Sequence, residues 1–152
     1  MNLIIFGPPG AGKGTQADFI VNKFNLFKLS TGEVLRNEIK NKTQLGKEIS
    51  SIINSGSLVS DDIVERLVET FIADKKYKDR LIFDGYPRNL NQAKNLDLLL
   101  NKYNQKIQIA LKLSVSLDTI KKRISERKNL ERRQDDNELV AIKRFQTYEK
   151  NR

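Results

Sequence analysis

Leu3-Ile4-Ile5-Phe6-Gly7-Pro8-Pro9-Gly10-Ala11-Gly12-Lys13-Gly14-Thr15 is the stretch that decides the fold of this chain. The uninterrupted apolar run Leu3-Phe6 reads as a strand buried on both faces. A glycine-rich segment follows it, and Thr15-Asn25 then carries helix-type spacing. Strand, glycine loop and helix in that order are the context a phosphate-binding loop requires. Glycines let backbone N–H groups curl around phosphate oxygens with no Cβ in the way, and the helix N-terminus adds a favourable partial positive charge. Lys13 supplies a full charge toward the β- and γ-phosphates. The strict pattern has Ser or Thr directly after the lysine; here Gly14 intervenes and Thr15 follows.

Working outward, Leu81-Phe83 and Ile107-Leu113 also read as strands, with a weaker one at Phe27-Leu29, and Ser60-Lys75, Asn91-Lys102 and Ser116-Arg127 have helical periodicity. The βαβα alternation predicts an α/β fold with a parallel sheet covered by helices. In Ile107-Leu113 the apolar residues alternate with Gln108, Ala110 and Lys112, which predicts a strand at the sheet margin. Ser30-Thr31-Gly32-Glu33 has capping-box spacing ahead of a helix, and a second helix from Thr43 to Asn54 is expected to end at Gly56. These two helices form an insert too polar for a core of its own. A last helix, capped by Asp135 or Asp136, is expected from about Asn137 to Glu149.

A chain of 152 residues suits one folding unit with small appended lobes. Its 38% apolar and 31% charged content is that of a soluble globular protein, and no apolar stretch approaches the roughly 20 residues that span a bilayer. The expected location is the cytoplasm. With neither cysteine nor histidine, the inventory excludes disulfides, thiolate zinc sites and imidazole catalysis. The formal charge of +9 favours a polyanionic partner, though Asn37-Lys42 and Lys75-Arg80 read as solvated surface. No aromatic-basic pattern supports a nucleic-acid partner.

Leu81-Ile82-Phe83-Asp84 is an apolar strand ending in a carboxylate, and behind a phosphate loop Asp84 is the candidate Mg²⁺ residue, acting through water. Arg123 and Arg127 stand four apart and share a helix face. The phosphate loop, Ser30-Thr31-Gly32-Glu33-Val34-Leu35-Arg36, Gly56-Ser57-Leu58-Val59-Ser60-Asp61, Asp84-Gly85-Tyr86-Pro87-Arg88 with Gln92, and Arg133-Gln134-Asp135-Asp136 with Arg144 resemble the adenylate kinase family in order and spacing.

That resemblance implies a three-layer P-loop NTPase fold, with a core of 1–29, 60–125 and 137–152, an NMP-binding insert at 30–59 and a short lid at 126–136. It implies Mg-ATP and AMP as substrates, two ADP as products, and a monomer with no nucleic-acid or membrane partner. ATP is implied at Gly10, Ala11, Gly12, Lys13, Gly14, Thr15, Arg123 and Arg127. AMP is implied at Thr31, Arg36, Ser57, Leu58, Val59, Gly85, Tyr86, Pro87, Arg88, Gln92, Arg133 and Arg144, with Gln92 bonding the adenine. The catalytic set is Lys13, Arg88, Arg123, Arg133 and Arg144. Arginine suits these places because its planar fork meets phosphate oxygens bidentately. The acceptor oxygen is already anionic, so no general base is needed. The few residues between Arg127 and Arg133 give the short form of the lid, which without cysteine carries no zinc. The family's final strand and helix are absent. The alternatives are a UMP/CMP-type kinase and a non-catalytic nucleotide-binding fragment.

Overall fold

The computed structural model describes residues 1–57, 59–131 and 138–151, apart from the side chains of 128–131, 138 and 151. The strands are β1 (Asn2–Phe6), β2 (Phe27–Ser30), β3 (Leu81–Asp84) and β4 (Ile107–Lys112), all parallel in the order β2-β3-β1-β4. The two continuous apolar runs, β1 and β3, take the central places and are buried. The alternating run β4 lies at the edge, half-buried at Ile107 and Leu111 and exposed between them. Pairing Ile5 with Asp84, and Ser30 with Asp84, aligns the carboxyl ends of β1, β2 and β3. Ligands of open parallel sheets bind outside that end.

The described helices are α1 (Lys13–Phe24), α2 (Thr31–Lys40), α3 (Gln44–Asn54), α4 (Asp61–Ala73), α5 (Leu90–Lys102), α6 (Leu117–Glu131) and α7 (Glu138–Asn151). Helix α4 stops before the expected Lys75, because the Asp74 side chain accepts from Lys76 N–H at 2.9 Å and starts a separate 3₁₀ turn. Helix α6 runs past the expected Arg127 to Glu131, through a segment with no glycine or proline to break it. The expected caps of α7, Asp135 and Asp136, lie outside the described residues.

Two compact units make up the chain. The first comprises Met1–Phe6, Lys13–Gly32 and Ser60–Lys112, and its core joins Leu3, Ile5, Leu29 and Phe83 of the sheet with Val68, Ile72, Leu96 and Leu100 of α4 and α5. Buried Asn2 fits this core because its amide is bonded at both ends: Oδ1 accepts from Leu81 N–H (3.0 Å) and Nδ2 donates to Gln105 Oε1 (3.1 Å). The second unit comprises Gly7–Gly12, Glu33–Val59 and Leu113–Arg152. In it Ile120, Ile124 and Ala141 form an apolar cluster with Val115 and Phe145. Helices α2 and α3 meet at Gly46, whose N–H donates to the Thr43 hydroxyl at 3.0 Å as the first cap bond of α3.

Candidate active site

In the second unit the phosphate loop turns through Ala11 N–H to Pro8 C=O at 3.1 Å. Gly10 and Gly12 have φ of 80° and 92°, which L side chains rarely adopt. A Cβ at Gly10 would lie 3.1 Å from both Ile120 Cγ2 and Ile124 Cγ1, so the loop's rear is fitted against α6. From the same helix Arg123 Nη1 donates to the Ala11 carbonyl at 3.0 Å. Arg127 follows one helical turn later and is half-buried. Elsewhere in this unit Arg36 is half-buried on α2 and Val59 is buried. The turn at Gly56 lies against α7: a Cβ there would come 3.0 Å from Arg144 Cγ, and Lys143 Nζ donates to Ser57 Oγ at 3.1 Å. Arg144 is thereby brought beside the segment that leads to Val59. Leu58 and Arg133 lie outside the described residues.

In the first unit Lys13, Gly14 and Thr15 form the first turn of α1. Asp84, 8% exposed at the end of β3, holds Oδ2 4.0 Å from where a Cβ on Gly14 would stand. A single carboxylate beside that turn fits Mg²⁺, which takes one or two protein carboxylates and completes its shell with water and phosphate oxygens. Among the described residues no group of three or more acidic side chains could cage a metal unaided.

The residues of this unit that were expected at AMP converge on Gly85. Its carbonyl accepts from Thr31 Oγ1 (3.1 Å) and from Arg88 Nε (2.7 Å), and its φ is 84°. A Cβ there would fall 3.1 Å from Arg88 Nη2 and 3.3 Å from Thr31 Oγ1, so glycine is what lets these groups close in. Tyr86 is buried, donates to the Gln92 carbonyl at 3.2 Å, and precedes Pro87 through a cis peptide. Burial, with the nearby Glu65 and Asp61 carboxylates adding, pushes its phenol up to about 12. Gln92 is 2% exposed, and its Oε1 accepts from the Arg88 backbone N–H at 2.7 Å. Its Nε2 donates to Asp61 at 2.9 Å. The sequence reading gave Asp61 no role: it closes the stretch Gly56–Asp61 and is the first residue of a helix, a position acidic side chains favour, and neither fact points to Gln92.

The family profile described as Adenylate kinase matches residues 5–152. The chain is similar to the adenylate kinase of Pelagibacter ubique, 47% identical over 174 residues, covering 97% of this chain and 82% of that protein. It resembles that of Fusobacterium nucleatum at 40% over 170 residues, covering 97% and 81%. A third, from Prochlorococcus marinus, is 43% identical over 146 residues, covering 96% and 77%. The first two alignments spread nearly the same residues over many more positions than the third, so those two relatives carry inserted residues that this chain lacks. With the phosphate loop, the side chains gathered around Gly85 and matches along almost its entire length, the chain belongs to the adenylate kinase family.

Proposed function

We propose a division of labour among the residues of this site for the reaction of the family. The chain moves a phosphoryl group reversibly from ATP to AMP, giving two ADP. In our reading Gly10 to Thr15 bind the ATP phosphates, with Lys13 neutralising the transferred group and Arg123 and Arg127 assisting. Thr31, Arg36, Ser57 to Val59, Gly85 to Arg88 and Gln92 bind AMP, and Arg133 and Arg144 act on the transferred phosphoryl. The observation that carries the acceptor half is the Gly85 carbonyl, which draws Thr31 and Arg88 together while Gln92 holds the Arg88 backbone. An arginine fixed in this way is preorganised for phosphate, so less ordering is left to binding.

Asp84 is the proposed Mg²⁺ residue, and the ion, when bound with ATP, would supply neutralisation of charge on the phosphates. The chain's own groups do the rest: they align donor and acceptor, and they exclude water that would otherwise waste ATP. The functional division we propose is the core 1–29, 60–125 and 137–152, the insert 30–59 and the lid 126–136. The residues that the Pelagibacter and Fusobacterium proteins have in addition belong, on this reading, to a longer lid. The proposed setting is the cytoplasm, as a monomer with no nucleic-acid or membrane partner. None of the described helices is long and apolar enough to cross a membrane.

The test is ADP formation from Mg-ATP with AMP, CMP, UMP and GMP in turn. AMP is expected to give the highest kcat/KM. A preference for CMP or UMP would overturn the acceptor assignment, and nucleotide binding without turnover would make the chain a binding fragment.

A further inference from the structure

Gln92 is the residue we read as contacting the adenine of AMP, and an amide carries that role only if its two ends are the right way round. The adenine edge offers an acceptor at N1 and a donor at N6, whereas hypoxanthine offers a donor and an acceptor at the same places. A side-chain amide is nearly symmetric in shape, so shape alone does not choose between its two orientations. In water the choice would be free. Here Gln92 is 2% exposed, and its protein neighbours make the choice.

On one side stands the Arg88 backbone N–H, 2.7 Å from Oε1. On the other stands Asp61, whose Oδ1 accepts from Gln92 Nε2 at 2.9 Å. Turned over, the amide would set N–H against N–H at Arg88 and oxygen against carboxylate at Asp61, two repulsive contacts at a side chain that is itself buried. Asp61 is itself held by more than this bond. Its Oδ2 accepts from Asn91 Nδ2 at 2.7 Å, and Asn89 Nδ2 points at Oδ1 from 3.3 Å. Asn89 in turn accepts from Gln92 N–H at 2.9 Å, capping α5. Three amide donors therefore converge on one carboxylate, and they favour its charged form: hydrogen bonding from Asn91 foremost lowers its titration, burial opposing and Gln92 and Asn89 adding. Only an acceptor at both oxygens satisfies all three.

We infer that Asp61 is a positioning residue for acceptor-base specificity: it fixes the Gln92 side-chain amide with Nε2 toward α4 and Oε1 toward Arg88. With those two bonds made, the amide still has one N–H and one oxygen lone pair, the complement of the adenine edge. The inference rests on the reading of Gln92 as the base-contacting residue. Through the Arg88 backbone the same link reaches the residue proposed to hold the AMP phosphate.

The experiment compares Asp61→Asn with Gln92→Leu, Asp62→Asn and Glu65→Gln, measuring kcat and KM for AMP, IMP and ATP, and the thermal midpoint. Asp62→Asn removes a charge from the same first turn of α4, and Glu65→Gln alters another polar contact of α4 with α5, Asn95 Nδ2 to Glu65 Oε2 at 3.0 Å. Asp61→Asn is expected to raise KM for AMP about tenfold, the scale of one hydrogen bond to a charged group. It should lower the AMP to IMP preference by a similar factor and leave kcat and KM for ATP within about twofold. The two control variants should leave the AMP to IMP preference unchanged. If Gln92→Leu fails to alter that preference, the reading of Gln92 is wrong. If Gln92→Leu alters it and Asp61→Asn does not, or if Glu65→Gln alters it as much, the inference about Asp61 is overturned.

Discussion

Replacing Gly46 by alanine adds one methyl group where two helices touch backbone to backbone. A Cβ built at Gly46 collides with the Glu38 carbonyl carbon and oxygen and stands 2.7 Å from Ile39 N. Non-bonded heavy atoms involving carbon are comfortable at about 3.5 Å, so α3 must draw back from α2 by roughly 1 Å. The obstacle is helix backbone, which cannot rotate aside as a side-chain tip can. Overpacking of this kind costs about 1–3 kcal/mol. Withdrawal also strains the cap of α3, where Thr43 Oγ1 takes the Gly46 N–H and lies 2.6 Å from Glu38 Oε2, a feature worth about 1 kcal/mol. Against this, alanine gains about 1 kcal/mol over glycine in a helix interior. The clash wins, leaving Gly46→Ala less stable by about 2 kcal/mol. Urea denaturation followed by helical signal, with hydrogen exchange at the amides of α2 and α3, measures it, and Ser51→Ala on the exposed side of α3 is the control for helix propensity. Should Gly46→Ala match or exceed the parent in stability, with unchanged exchange in α2 and α3, the reasoning about this crossing fails.

Lys13→Ala and Arg88→Ala should each lower kcat/KM by about 10³-fold or more with the fold retained, as expected for cations that stabilise a transferring phosphoryl group; activity within about tenfold of the parent would remove that role. Asp84→Ala should raise the Mg²⁺ concentration needed for half-maximal rate while leaving KM for AMP nearly unchanged, and full activity of the parent in excess chelator would refute the metal assignment. Tyr86 titrates at about 12 in the fold against 10.0 for the unperturbed phenol, so its neutral form adds stability below pH 10 that is lost as pH rises through 12. Urea midpoints from pH 8 to 11.5 should therefore fall more steeply for the parent than for Tyr86→Phe, and equal slopes would contradict this.

The parts of the fold that were legible beforehand are those written in local pattern. Uninterrupted apolar runs placed β1 and β3 at the sheet centre, alternation placed β4 at its edge, and Thr43 and Gly56 bounded α3 as expected. What escaped the sequence depends on residues that meet only after folding. Asn2 reads as an ordinary polar start to a strand, yet it is buried because Gln105, more than a hundred residues away, completes its amide. Gly46 reads as a weak spot inside a helix, until the backbone of Glu38 arrives beside it. Of the site, the resemblance to the family marked Thr31, Gly85, Arg88 and Gln92, and the structure draws these four together. The partner that orients Gln92 stood in a stretch that carries the resemblance, Gly56–Asp61, but an aspartate opening a helix is commonplace and nothing in the sequence tied it to a residue 31 positions on.

The bond from Arg123 to the Ala11 carbonyl bears on more than the arginine. A peptide unit is planar and trans, so its C=O and the next residue's N–H point in opposite directions. Pulling the Ala11 oxygen toward Arg123 obliges the Gly12 N–H to face the other way. A flexible glycine segment could otherwise spin that plane and present an oxygen, which would repel an incoming anion. On our reading Arg123 thus works as a rudder: its bond fixes which way this peptide plane faces before any nucleotide arrives, and binding need not spend energy turning it.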